Sequence, residues 1–111
     1  MYSIQQASTL AQIPASTIRY YEKIALIPPI KRNAQQHRVF DDKDIELFNL
    51  IRCFRNLGMS IDDIKDHISS TNLAHEQIDT QAILRDHKQK LVEQIDMLHQ
   101  YIEEIDEKLI S

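Results

Sequence analysis

A chain of 111 residues with 42% hydrophobic and 27% charged residues has the length and balance of one globular domain with an appended helix. Its single cysteine excludes an internal disulfide and any cysteine-rich zinc site, and no apolar run approaches the roughly 20 residues that a membrane span needs. The opening residues do not resemble a signal peptide, so a cytoplasmic protein with no membrane partner is expected.

The formal net charge of −4 is unevenly distributed along the chain. Residues 1–58 carry eight Lys/Arg and five Asp/Glu, a net of +3, whereas residues 59–111 carry five and twelve, a net of −7. This asymmetry favours a first half that faces a polyanion and an acidic second half. The alternative is a solvated charged surface, which is the commoner cause of a local excess.

Two short helices joined by a tight turn are predicted near the N-terminus. Ser3 suits a helix cap, with Gln6 at the spacing of a capping box. Pro14 suits the start of the second helix, where Ser16 or Thr17 can satisfy free amides. Two helices in about 20 residues match a helix-turn-helix, whose second helix enters the major groove of DNA.

The second helix carries the first candidate DNA contacts, which are Ser16, Thr17, Arg19, Tyr20 and Tyr21. Ile18 and Tyr21 are expected to face inward, while Arg19 and Tyr20 face outward. A guanidinium can bind a phosphate or a guanine edge, and a tyrosine hydroxyl can bind a phosphate. The alternative is that one tyrosine belongs to the core and that Arg19 forms a surface ion pair with Glu22.

A small hairpin, or wing, is predicted after the second helix. Pro28 and Pro29 forbid helix and favour an extended chain. Two strands of about three residues, 30–32 and 38–40, would flank a polar tip. The wing contributes four candidate contacts to the DNA backbone: Lys31, Arg32, His37 and Arg38.

Two further helices follow the wing. Asp41 suits the cap of the third helix, and Gly58 suits its stop. The apolar residues of the third helix recur at helical spacing: Ile45, Phe48, Ile51, Phe54 and Leu57. Ser60 suits the cap of the fourth helix, whose apolar residues are Ile61, Ile64 and Ile68.

The last segment, 80–111, has the clearest periodicity. Seven apolar residues and Lys88 repeat at alternating spacings of four and three, which is typical of a coiled-coil seam. At about 1.5 Å per residue this helix spans roughly 45 Å, so its seam needs a partner, most simply a second copy of the chain; a fold-back onto its own head is the alternative. The apolar seam residues are Leu84, Leu91, Ile95, Leu98, Ile102, Ile105 and Leu109.

These patterns divide the chain into three segments. Residues 1–70 form a DNA-binding domain, residues 71–79 form a connector with little periodicity, and residues 80–111 form the dimerisation helix. The histidines of the second half have no ligand spacing. Because the sequence contains no catalytic arrangement, no phosphate loop and no metal motif, neither an enzyme nor a cofactor is expected.

Cys53 lies late in the third helix, between Arg52 and Arg55. One interpretation is an inert buried cysteine. The other is a thiolate that adjacent cations favour and that reacts with electrophiles or oxidants.

Taken together, several motifs resemble those of the MerR family of transcription regulators. They are Thr17-Ile18-Arg19-Tyr20-Tyr21-Glu22, Leu26-Ile27-Pro28, Arg32 and Arg38-Val39-Phe40, followed by an acidic helix start. The resemblance covers the whole chain and implies a mainly α, winged helix-turn-helix homodimer whose long helices pair antiparallel. It also implies binding to double-stranded promoter DNA and an indirect effect on RNA polymerase, because such dimers bend and untwist the promoter.

The resemblance assigns roles by position. Thr17, Arg19 and Tyr21 would contact DNA from the recognition helix, and Lys31, Arg32 and Arg38 from the wing, with Tyr20 and His37 beside the backbone. The chain departs from the family at Ala25 and Gln36, where glycine is usual and where the turns favour positive φ.

The segment around Cys53 resembles the NmlR or AdhR branch of the family. Members of that branch carry a lone cysteine there and respond to aldehydes or to oxidative and nitrosative stress, which makes Cys53 a candidate sensor. The cysteine pair of metal-sensing members is absent, and the chain is too short for the ligand domain of drug-sensing members. The alternative functions are a coiled-coil adaptor that binds proteins, or a DNA-binding regulator in which Cys53 is inert.

Overall fold

The computed structural model describes residues 1–71 and 78–110, and these residues form two compact units. The first unit, Met1–Ile78, is called the head below, and the second is Asp79–Ser111. The head contains α1 (Ile4–Ala11), α2 (Ala15–Lys23), α3 (Asp42–Asn56) and α4 (Ile61–Thr71); the second unit contains α5 (Thr80–Ile110). The prediction of a mainly α fold that ends in a long helix is confirmed.

The predicted caps of α1, α3 and α4 are confirmed. Ser3 and Asp41 each form a reciprocal capping box, and the Ser60 hydroxyl accepts a hydrogen bond from an amide of α4. The expected cap of α2 by Ser16 or Thr17 is wrong, because this helix has no side-chain cap. The amides of Thr17 and Ile18, in its first turn, donate to the Pro14 carbonyl.

The core of the head lies between α1, α2, α3 and α4. Phe48 and Phe54 are 1% and 0% exposed, and Phe48 packs edge-on against Phe40 with ring centroids 5.8 Å apart. Leu57 was predicted to continue this apolar row, but it is 49% exposed, because it lies at the C-cap, beyond the last turn of α3. Leu47, which the predicted row omitted, is buried.

Among the described residues of the head, three that are not glycine adopt positive φ: Gln12 at 56°, Ala25 at 60° and Gln36 at 67°. The turns at Ala25 and Gln36 therefore have the backbone conformation for which glycine is the usual residue, as the resemblance to the family implied. Each side chain is accommodated at a conformational cost, and the turns themselves keep the expected shape. Gly58, at 85°, ends α3 as predicted.

The wing is present, but it has less β-structure than predicted. In place of two strands, it has one antiparallel bridge between Arg32 and Arg38. Pro28 and Pro29 precede the wing and have no backbone N–H groups, so strand pairing cannot extend from Arg32 towards them. A second bridge, which the sequence did not predict, joins Tyr2 to Phe40.

The segment predicted as a connector, residues 71–79, lies largely outside the described residues. Its first residue, Thr71, is the end of α4, so the helix extends one residue past the predicted end of the head domain. In the part of the chain that the structure describes, no helix is both long and apolar enough to cross a membrane. Along α5 every side chain from Lys88 to Leu109 is exposed.

Candidate nucleic-acid interface

Helix α2 presents a polar face that contains most of the predicted recognition residues. Arg19 and Ser16 are exposed, Tyr20 is 52% exposed and Thr17 is half-buried. Ile18 on the opposite face is buried and anchors the helix to the core. The outer face of α2 is thus available to a groove of DNA.

Tyr21 differs from the other predicted contacts because its side chain is only 7% exposed. Burial raises the pKa of its phenol, and the charge of Arg55 opposes that increase. Its ring therefore belongs to the core, as one of the two interpretations of the tyrosine pair proposed. The role of Tyr21 as a DNA contact stays a prediction that this burial does not favour.

A hydrogen-bonded turn holds the tip of the wing. The Asn33 side-chain oxygen accepts hydrogen bonds from the amides of Gln35 and His37, at 3.0 Å each. The Arg32 guanidinium donates to the Gln36 carbonyl at 3.0 Å. From the sequence, Asn33 was predicted only as part of the polar tip of the wing. Asparagine side chains often accept a hydrogen bond from the amide two residues further on, so the residue type itself was a usable signal for this turn. This turn presents Lys31 and His37 at the surface.

Glu22 connects the recognition helix to the wing. Its carboxylate accepts a hydrogen bond from the Arg38 guanidinium at 2.9 Å and another from the Ile30 amide at 2.7 Å. The alternative in which Glu22 pairs with Arg19 is therefore wrong, and Arg19 keeps its exposed position. Because Arg38 is 24% exposed and engaged in this pair, it positions the wing, and its direct contact with DNA stays a prediction.

The environment of Glu22 makes the strength of this connection depend on pH. Burial alone would raise the Glu22 pKa, but the hydrogen bonds from Ile30 and Arg38 and the charges of Arg38 and Arg32 together hold it below its ordinary value of 4.5. Because the Glu22 pKa is lower in the folded state than in the unfolded state, the ionised carboxylate stabilises the fold, and this stabilisation is complete above the unfolded pKa. That stability is lost as the pH falls through the lower folded pKa.

We expect Glu22→Gln to lower the free energy of unfolding by about 1–2 kcal/mol at pH 7, because the Arg38 guanidinium then donates to a neutral amide in place of a carboxylate and the ion pair is lost. As the pH falls through the lowered pKa of the Glu22 carboxyl, the difference between the two proteins should shrink towards zero. Urea unfolding of both proteins at pH 7 and at a series of lower pH values measures this. A difference that stays constant over the whole series would contradict the role assigned to the carboxylate.

A cleft of about 380 Å³ lies where the recognition helix, the wing and the start of α1 meet. Its walls include Arg19 from α2 and Arg32, His37 and Arg38 from the wing. The structure thus brings together candidate residues that are up to 19 positions apart in the sequence. Ser16 and Lys31 are not among the lining residues.

The chemistry of this cleft fits a polyanion. Three arginines line it and no carboxylate is among its lining residues, while the Glu22 carboxylate is paired with Arg38. Guanidinium groups bind phosphate oxygens with two parallel hydrogen bonds. No group of three or more metal-ligating side chains occurs among the described residues.

The base of the wing is tied to the segment that precedes α1. The Tyr2 amide donates to the Phe40 carbonyl at 2.7 Å, and the Phe40 amide donates back to the Tyr2 carbonyl at 2.8 Å. The Tyr2 hydroxyl also donates to the Asp42 carboxylate at 2.6 Å. This role of Tyr2 was not predicted from the sequence, because a single bridge between distant residues leaves no periodic pattern.

Cys53 is exposed, so the interpretation of an inert buried cysteine is wrong as regards burial. The two neighbouring arginines are occupied elsewhere. Arg52 donates to the side chain of Gln12, and Arg55 donates to the Met59 carbonyl at 2.6 Å. The thiol is accessible to reagents, while the cations expected to favour its thiolate form are committed to other partners.

Comparison with known proteins identifies two family models in this chain. The model described as "MerR HTH family regulatory protein" matches residues 2–71, and the one described as "MerR, DNA binding" matches residues 45–108. Together they cover the head and most of α5.

Individual relatives agree with these matches. The transcriptional regulator AdhR of Bacillus subtilis is 34% identical over 92 residues, which are 82% of this chain and 66% of AdhR, just under two thirds of its length. An uncharacterized HTH-type regulator of Haemophilus influenzae is 33% identical over 97% of this chain and 81% of its own. The structure of HiNmlR, described as a MerR family regulator that lacks the sensor domain and is bound to promoter DNA, superposes with a TM-score of 0.66. It is 33% identical and covers 92% of this chain and 78% of its own.

Proposed function

The chain belongs to the MerR HTH family of regulatory proteins, and on this basis we propose that it regulates transcription by binding promoter DNA as a homodimer. The observation that carries the proposal is the cationic cleft, in which Arg19 of the recognition helix meets Arg32 and His37 of the wing. Family membership makes an enzyme the wrong class for this chain. Action on promoter DNA also supports the proposal of a cytoplasmic protein.

In the proposed mechanism α2 enters the major groove and the wing follows the adjacent backbone. Arg19 and Tyr20 face the groove, with Ser16 and Thr17 near the start of the helix. Lys31 and Arg32 bind phosphates on the flank. The ion pair between Glu22 and Arg38 fixes the angle between the two elements, so that both reach one half-site together.

A second copy of the chain supplies the other half-site. The apolar residues of the predicted α5 seam are largely exposed, which fits a helix that pairs with a partner. A dimer that grips two half-sites can bend and untwist the DNA between them. Its effect on RNA polymerase is then exerted through the shape of the promoter.

Titration of duplex DNA at several salt concentrations tests this function against the adaptor alternative. The duplex is first selected from a randomised pool on the protein itself. Phosphate contacts predict that log affinity falls linearly with log salt, by about one unit of slope for each contact. A selection that yields no enriched duplex, or binding that does not depend on salt, would favour the adaptor.

We further propose that Cys53 is the switch of the regulator, because its side chain is accessible. The sulfur would add to the carbonyl carbon of an aldehyde while the oxygen takes up a proton, which gives a hemithioacetal. The adduct would change packing around α3 and hence the geometry of the head. Promoter activity with and without formaldehyde in wild type and in Cys53→Ala tests the switch, and full induction of a Cys53→Ala protein that still binds DNA would refute it.

A further inference from the structure

The turn between α1 and α2 determines where the recognition helix points, and it contains a strained residue. Gln12, the C-cap of α1, has φ 56° and ψ 42°, in the left-handed region that L residues rarely adopt. Its neighbours Ala11 and Ile13 are buried, whereas the Gln12 side chain is exposed. Contacts other than the backbone preference of Gln12 therefore have to hold this turn in shape.

Hydrogen bonds to Ser8 hold the turn to the end of α1. The amides of Gln12 and Ile13 both donate to the Ser8 carbonyl, and the Ser8 hydroxyl donates to the Ile13 carbonyl at 2.5 Å. These three bonds stay within α1 and the turn. They make no connection to α3, which packs against α1, so they do not fix how the turn is oriented relative to that helix.

Arg52 of α3 makes that connection. Its guanidinium donates from Nη1 to the side-chain oxygen of Gln12, which lies 40 positions earlier in the chain. Within residues 1–71 and 78–110, the buried Arg52 Nε has no hydrogen-bond partner, and neither has the buried Oδ1 of Asn49, one helical turn before it. Because a buried donor without a partner is unfavourable, the position of the guanidinium is explained by its bond to Gln12 and not by an acceptor within α3.

We propose that Arg52 is a positioning residue for DNA recognition, because its hydrogen bond to Gln12 holds the α1–α2 turn and so fixes the direction in which α2 presents Arg19. The proposal rests on the proposed function, since it takes the outer face of α2 as the surface that reads DNA. It adds a residue of α3 that does not line the cationic cleft and is not itself a proposed DNA contact.

A small rotation at the turn has a large effect at Arg19. The stretch from Gln12 to Arg19 spans roughly 10 Å at about 1.5 Å per residue, so a rotation of about 10° displaces Arg19 by about 2 Å. A side chain that reads a base edge must be placed within about 0.5 Å. A phosphate contact such as that proposed for Lys31 tolerates the shift better, because an ammonium group is a point charge on a flexible stem. Loss of the Arg52 bond should therefore reduce specificity more than affinity for DNA in general.

Gln12→Gly separates the orientation of the turn from the stability of the fold. Glycine adopts positive φ without strain, which offsets the loss of the hydrogen bond, so the urea midpoint should remain near that of the wild type. The ratio of affinity for the selected operator to affinity for random DNA should nevertheless fall by about three- to tenfold, since nothing then joins the turn to Arg52.

Arg52→Met removes the donor and keeps an aliphatic side chain. It should lower the same ratio by a similar factor in the wild-type background and have no further effect in the Gln12→Gly background. Arg52→Lys keeps the charge and a donor, and it should retain most of the ratio. Arg55→Met, the same change three residues along α3, is the matched control, because Arg55 donates to Met59 and not to the turn.

Both affinities are measured for each full-length variant at one salt concentration, under conditions where circular dichroism shows the variant to be folded. A wild-type ratio in Gln12→Gly would overturn the proposal, as would additive losses in the double variant or an equal loss in Arg55→Met. Equal weakening of operator and random DNA by Arg52→Met would make Arg52 a phosphate contact instead. Failure of the proposed function is seen separately, because the wild-type protein would then prefer no duplex.

Discussion

Replacing Phe48 with alanine is expected to lower the free energy of unfolding of the full chain by about 3–5 kcal/mol, the usual cost of deleting a buried phenyl ring. Phe48 is 1% exposed and packs edge-on against Phe40, the residue that ends the wing. The cavity would therefore open at the junction between the helices and the wing. Because typical domains have only about 5–15 kcal/mol of stability, this single change removes a large part of it.

Urea unfolding, followed by circular dichroism at one fixed protein concentration, measures this effect. The matched control is Tyr20→Ala, which also deletes an aromatic ring but from a side chain that is 52% exposed. The control should change stability by less than about 1 kcal/mol. A cost for Phe48→Ala no greater than that of the control would contradict the packing described for the core.

Replacing Arg19 with alanine should reduce affinity for the selected operator by about 10- to 100-fold. This range corresponds to the roughly 1–3 kcal/mol of a base contact made by arginine. Arg19 is exposed on α2 and lines the cleft, and it forms no ion pair with Glu22. Specificity for operator over random DNA should fall together with affinity.

Lys31→Ala is the informative comparison, since Lys31 is proposed to bind only a phosphate. It should weaken binding to operator and to random DNA by similar factors and reduce the salt slope by about one. Lys90→Ala, an equal loss of charge on α5, controls for net charge and should leave operator binding unchanged. If Arg19→Ala behaved like Lys31→Ala, Arg19 would be a phosphate contact and would not read bases.

Sequence reasoning succeeded where the determinants are local. The capping boxes at Ser3 and Asp41 span three residues, and the burial of Phe48 and Ile51 follows from helical periodicity. The separation of Arg19 from buried Ile18 on α2 is local in the same sense. The expectation that Ala25 and Gln36 occupy turns suited to glycine agrees with their positive φ values.

It failed where contacts join residues that are distant in the chain. Glu22 has Arg19 three positions away, a common spacing for an ion pair on a helix, yet it pairs with Arg38 sixteen positions away. That choice depends on how the wing folds back on α2, and no local pattern encodes it. The same holds for Tyr2, whose partner Phe40 lies 38 residues along the chain.

The bridge between Tyr2 and Phe40 has a consequence for the folding of the DNA-reading segment. Two reciprocal amide–carbonyl hydrogen bonds close the stretch from Tyr2 to Phe40 into a ring, so its beginning and its end leave the ring at one point. Both helices of the helix-turn-helix and the whole wing lie inside this ring. During synthesis the ring cannot close before Phe40 has left the ribosome, and the wing therefore acquires its base late. Once closed, the ring still depends on the helix that follows Asp41, because Phe40 packs against Phe48 of α3.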